Sequence, residues 1–110
     1  MHVNLVGASQ AEAREADDEA VRRARYFVDL RLSALNEAGE LLHALRAGII
    51  TQQHLLGEIG EVLDGRLPGR CSREDVTIYK SLGIAAQDLA AARVILDQAA
   101  RESFGTRVRL

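Results

Sequence analysis

A chain of 110 residues has room for one ordinary domain, and folding at this size hides roughly 65% of the surface of the extended chain, enough for a core of modest stability. Hydrophobic residues make up 47% of it but aromatics only 4%, with no Trp, so an aliphatic core is expected. A net charge of −2 provides no basic face for nucleic acid, one cysteine (Cys71) rules out an internal disulfide, and no apolar run approaches the ~20 residues of a membrane span. The first residues also lack the charged start and apolar stretch of a secretion signal, so a cytoplasmic protein is the expectation.

Residues 3–6, VNLV, are a short apolar run stopped by Gly7-Ala8-Ser9, which predicts a buried strand ending in a turn. Asp17 to Arg25, DDEAVRRAR, predicts a helix: Asp17 or Asp18 can cap it, and early acids with late arginines (Arg22, Arg23, Arg25) suit its dipole. YFVDL, residues 26–30, follows as a strand. Strand, helix and strand in so short a span predict an α/β unit with a parallel sheet.

SALNEAGELLHALRAG, residues 33–48, reads as a helix interrupted at Gly39. TQQHLLGEIGEVLDG, residues 51–65, reads as an amphipathic helix with Thr51 as N-cap, a stripe of Leu55, Ile59, Val62 and Leu63, and Gly65 as its stop. Gly57 and Gly60 inside that span each cost about 1 kcal/mol against Ala, which suggests close approach by another backbone or a ligand. The turn-rich GRLPGRC then leads to DVTIYK, a strand with Val76 and Ile78 on one face and Thr77 and Tyr79 on the other. After Gly83 a helix runs from Ile84 to about Ser103, ~30 Å long and thin in its alanine-rich first half. Gly105 ends it, and TRVRL predicts a last strand with Val108 and Leu110 on one face. A parallel sheet that opens partway through an α/β unit needs neighbours: a second copy, or the rest of a larger fold.

Few residues announce chemistry. His2, His43 and His54 are far apart and form no ligand pattern with Cys71, so no metal site is expected, and nothing marks a base beside Cys71. Gly7-Ala8-Ser9 is either a ligand-facing strand end or a plain turn. Glu37 to Glu40, EAGE, either brings carboxylates to a pocket or is a solvated helix break. Lys80 can reach a phosphate or a carboxylate, while Ser81 either faces a ligand or caps the helix behind it. There is no G-x-G-x-x-G, no P-loop and no Ser/His/Asp signature.

Four stretches, HVNLVGAS, DDEAVRRARYFVD, GEIGEVLDGRLPGR and TIYKSLGIAAQDLAAARVI, together resemble the C-terminal part of the ornithine cyclodeaminase/mu-crystallin family, in the family's order and from His2 to about Glu102. VGAS and KSLG resemble the mu-crystallin, or ketimine reductase, branch most. The resemblance implies the C-terminal part of a Rossmann-type parallel sheet with flanking helices, then a long return helix and a terminal strand. It assigns residues 1–70 to a nucleotide-binding domain and 71–110 to a cofactor-side loop, return helix and strand directed toward a substrate and dimerisation domain. Family members use NAD or NADP to reduce cyclic imines or oxidise amino acids, or to cyclise ornithine with loss of ammonia, and they form homo-oligomers. Their glycine-rich phosphate loop and substrate-holding Arg and Lys lie upstream of the matching stretch.

Residue by residue, the resemblance implies that Val6, Gly7, Ser9, Ser81 and Leu82 contact the cofactor and that Glu37 is a substrate-side carboxylate. Cyclodeaminases carry a catalytic aspartate where this chain has Ser9, and residues 11–13 are Ala-Glu-Ala where they have PGK, so the reductase branch is favoured and no catalytic residue is expected. The expected function is that of a C-terminal segment of an NAD(P)-dependent ketimine-reductase-like enzyme, without turnover and with weak or absent cofactor binding by itself. The alternative is a non-enzymatic module that self-associates or docks on a partner through its open strand edges and thin helix.

Overall fold

A computed structural model describes residues 1–106 and 108. The elements are β1 (His2–Leu5), α1 (Asp18–Arg23), β2 (Ala24–Val28), α2 (Arg31–Glu37), α3 (Gly39–Arg46), a 3-10 turn (Gln52–His54), β3 (Leu55–Glu58), α4 (Ile59–Leu63), β4 (Val76–Lys80) and α5 (Ala85–Glu102). The expected strand at TRVRL lies outside the described residues.

The four strands form one parallel sheet in the order β1-β4-β2-β3. The last strand among the described residues is thus interior: β4 bonds to β1 on one side and β2 on the other, in the same sheet as residues before 70. Its register levels three strand ends, because Lys80 pairs with both Leu5 and Val28. Whatever follows Leu5, Val28 and Lys80 therefore meets at one edge.

Local chemistry accounts for α1, although it stops at Arg23 and Arg25 lies in β2 rather than at the expected helix end. The Asp17 carboxylate accepts the Ala20 N–H at 2.8 Å, Asp18 and Glu19 fill the first turn, and Arg22 and Arg23 the last. The break at Gly39 is equally real: α2 stops at Glu37 and α3 starts anew. A Cβ on Gly39 would run into the Ala13 carbonyl oxygen and lie 2.9 Å from that of Gln10, so the loop after β1 rests directly on the start of α3.

Residues 51–65 correct the expected single helix. Leu55–Glu58 pair as a strand with β2, with a bulge at Tyr26/Phe27, and only Ile59–Leu63 are α-helical. Thr51 makes no side-chain cap. Tertiary pairing outweighs a helical spacing of leucines here, since β2 needs a partner on its free edge. Gly57 does mark close approach, but by side chains: a Cβ there would strike Leu67 and lie 2.7 Å from the Glu61 carboxylate. Gly60 meets nothing within 4 Å, so its presence reflects no such contact.

The core gathers Val21, Val28, Ala34, Leu41, Leu55 and Ile78 around Tyr26, so the mostly aliphatic interior has an aromatic centre, with Phe27 also buried. Its counterpart is α5, which buries no residue and leaves Leu89, Val94, Ile95 and Leu96 exposed. The chain measures 55 Å along its long axis with a radius of gyration of 17.2 Å, against about 13 Å for a compact chain of this length. Among the described residues no helix is long and apolar enough to cross a membrane.

Candidate functional site

The level strand ends bring the segments after β1 and β4 side by side. The Ser81 N–H donates to the Leu5 carbonyl at 2.9 Å, joining the two at their root. Beyond that bond, Val6, Gly7 and Ser9 are exposed, and Ser81 and Leu82 are half-buried, with Leu82 resting on the core. Five of the six residues singled out from the sequence thus share the C-terminal edge of the sheet. Glu37, the sixth, is the exposed last residue of α2, two positions before the Gly39 contact with the β1 loop.

Each loop is held by a charge that the sequence did not flag as its anchor. At the β4 end the anchor is Asp29, which directly follows β2 and is buried. Its Oδ2 accepts the Leu82 and Gly83 N–H groups, both at 2.7 Å, and the Ser81 hydroxyl at 3.2 Å. Ser81 therefore does not cap α5: the N-cap is Ile84, without a side-chain bond, and the Ser81 hydroxyl is turned to Asp29. Gly83 has φ +87°, a left-handed conformation that glycine adopts without a Cβ clash, at the turn just ahead of α5.

At the β1 end the anchor is Lys80, whose side chain is fully buried. Its ammonium donates to the Ala8 carbonyl and to Glu15 Oε2 at 2.7 Å, and lies 3.4 Å from Glu40 Oε1. The phosphate reading of Lys80 thus gives way to carboxylates. Glu15 in turn accepts the Gly7 N–H at 2.8 Å and the Ala8 N–H at 3.0 Å. A Cβ on Gly7 would lie 2.8 Å from Glu15 Oε1, so glycine leaves room for this embrace. Glu40 is fully buried and accepts the Tyr26 hydroxyl at 3.1 Å; the solvated reading of EAGE holds for Glu37 and fails for Glu40.

These contacts set the acidities. The Ala8 amide, the Lys80 ammonium and the Gly7 amide together hold the Glu15 carboxyl down from 4.5 to about 2. Burial, and then the Glu40 carboxylate beside it, push the Tyr26 phenol up, so it stays a neutral donor. A depressed carboxyl stabilises the fold above its unfolded value and stops doing so as pH falls through its folded value. Stability is therefore expected to decline between about pH 4.5 and 2, and Glu15→Gln to remove part of that decline, as read from urea midpoints across the window.

The signals for these anchors were thin. Asp29 could have been suspected as an acid at a strand end, and Glu40 as the second acid of EAGE. Nothing in the local sequence marks Glu15, Tyr26 or the sideways course of Lys80. Among the described residues no three His, Cys, Asp or Glu side chains gather as a metal site, and Cys71 is exposed.

The outer face of this edge mixes apolar and polar groups. Two hydrogen-bonded loops expose an apolar residue (Val6), a glycine and a serine, and a side chain at Gly7 would crowd the Glu15 carboxylate. The sequence contains no glycine-rich phosphate loop.

Known proteins match most of this chain. Mus musculus ketimine reductase mu-crystallin is 42% identical over 96 residues, covering 87% of this chain and 28% of that protein. The structure of Thermococcus litoralis Delta(1)-pyrroline-2-carboxylate reductase in complex with NADH and L-proline superposes with a TM-score of 0.87 and 33% identity, covering 98% of this chain and 33% of that one. An archaeal alanine dehydrogenase dimer with bound NAD superposes with a TM-score of 0.82 and 32% identity, covering 100% of this chain and 34% of that one. The chain thus spans about a third or less of the length of these relatives. Residues 1–103 match the ornithine cyclodeaminase/mu-crystallin family, and the chain belongs to that family.

Proposed function

We propose that this chain is the C-terminal segment of an NAD(P)-dependent reductase of the ketimine-reductase branch and forms the nicotinamide-side wall of its active site. The observation that carries this reading is the convergence of Val6–Ser9 and Ser81–Leu82 at one strand edge, joined by the Ser81–Leu5 bond. In the complete enzyme NADH or NADPH supplies a hydride to the carbon of a C=N bond, in a cyclic imine or the imine of an amino acid. The chain's own part is placement. Val6 and Gly7 offer an exposed surface, Ser9 offers a hydroxyl, and Asp29 and Lys80 tie down the two loops. Ser9, a hydroxyl where cyclodeaminases use a carboxylate, supports reduction over ornithine cyclisation. Glu37 is the substrate-side carboxylate of this reading. On this reading residues 1–70 belong to the nucleotide-binding domain, and residues 71–110 carry the cofactor-side loop and the return toward a substrate and dimerisation domain.

Without a phosphate loop the chain by itself has no turnover and binds cofactor weakly. Titrating the ¹⁵N-labelled chain with NADH or NADPH tests this. Shifts confined to Gly7–Ser9 and Ser81–Leu82, far from saturation at micromolar cofactor, are expected. Micromolar binding, or shifts elsewhere, would overturn it.

One observation favours a second reading, a self-associating or partner-docking module: α5 buries nothing and exposes Leu89, Val94, Ile95 and Leu96. Light scattering separates the two, since a well-folded monomer counts against the module.

A further inference from the structure

We propose that Lys80 is the positioning residue of the cofactor-side loop after β1: a buried cation that touches no ligand and fixes the face the loop presents. The inference rests on the nicotinamide-side reading above. Lys80 ends the interior strand, and its ammonium turns beneath the neighbouring loop rather than outward. An ammonium has three donors, and three acceptors surround this one: the Ala8 carbonyl, Glu15 and Glu40. The Gly7 and Ala8 N–H groups are taken by Glu15, itself held by Lys80. The Gly7–Ala8 edge of the loop is therefore committed inward, which leaves the Val6 side chain and Ser9 facing out. The same strand end places Ser81, whose N–H returns to Leu5, so one residue sets the two loops relative to each other.

Two variants test this. Glu15→Gln changes a partly exposed group and cuts the link between Lys80 and the Gly7 and Ala8 amides. Lys80→Met combined with Glu40→Gln removes the cation together with the buried charge it would strand. In both, amide exchange at Gly7 and Ala8 is expected to rise about ten- to a hundredfold, while exchange in β2 and β4 stays as in the parent. Shifts induced by NADH at Gly7–Ser9 should fall severalfold, and those at Ser81 and Leu82 should persist. Unchanged exchange at Gly7 and Ala8, or an equal rise throughout the sheet, overturns the positioning role whatever NADH does. Absence of any NADH shift at either loop of the parent chain instead overturns the nicotinamide reading, and the exchange result still decides the role of Lys80.

Discussion

Replacing Lys80 by Met alone should cost about 3–5 kcal/mol in urea unfolding. The reason is what the substitution leaves behind. Glu40 would remain fully buried with only the Tyr26 hydroxyl to meet it, and its Oε2 already has no hydrogen-bond partner among the described residues. Glu15 would fare better, because its side chain reaches solvent. Adding Glu40→Gln should therefore recover much of the loss, whereas adding Glu15→Gln should recover little. A Lys80→Met chain within about 1 kcal/mol of the parent would contradict this account of the cluster, since that is the range of exposed ion pairs. The buried ions need not add net stability over an apolar packing of the same volume; breaking the set is what costs.

The second large effect is expected at Gly39. Its Cα faces the carbonyl oxygens of Ala13 and Gln10, so Gly39→Ala pushes a methyl group into backbone that cannot rotate aside. Overpacking of this kind costs about 1–3 kcal/mol, and contact with main chain places this case at the upper end. The displaced segment is the loop that holds Glu15, so the Gly7 and Ala8 amide resonances should move as well. Gly60→Ala is the control. It lies in α4 with nothing within 4 Å, so it should stabilise the chain by up to about 1 kcal/mol. Equal thermal shifts for the two variants would contradict the packing described at Gly39.

Part of this architecture was legible because it is written locally. The α1 cap and charge order are contained within residues 17–23, the break at Gly39 is a single residue, and the alanines of α5 carry their own helix propensity. Residues 51–65 misled because Leu55, Ile59, Val62 and Leu63 fit a helical stripe, whereas the deciding partner of Leu55–Glu58 is β2, some thirty positions earlier. The site divides in the same way. A turn after a strand marks Gly7–Ser9 and Ser81, and the family resemblance supplies their expected role. The anchors are non-local: Glu15 stands 65 positions from Lys80, and Asp29 is 53 and 54 positions from the amides it binds. A buried carboxylate carries no mark in sequence until the fold has chosen its partner.

The most direct test places this chain within a full-length relative. The stretch of Mus musculus ketimine reductase mu-crystallin that aligns with this chain would be replaced by this chain's own 96 aligned residues. NADPH oxidation would then be followed with a cyclic imine such as Delta(1)-pyrroline-2-carboxylate. Imine-dependent oxidation by the chimera, reduced by Glu15→Gln and by Asp29→Asn, is the predicted result. A chimera that unfolds at its parent's temperature yet oxidises no NADPH above the imine-free blank would contradict the assignment of this edge to the nicotinamide.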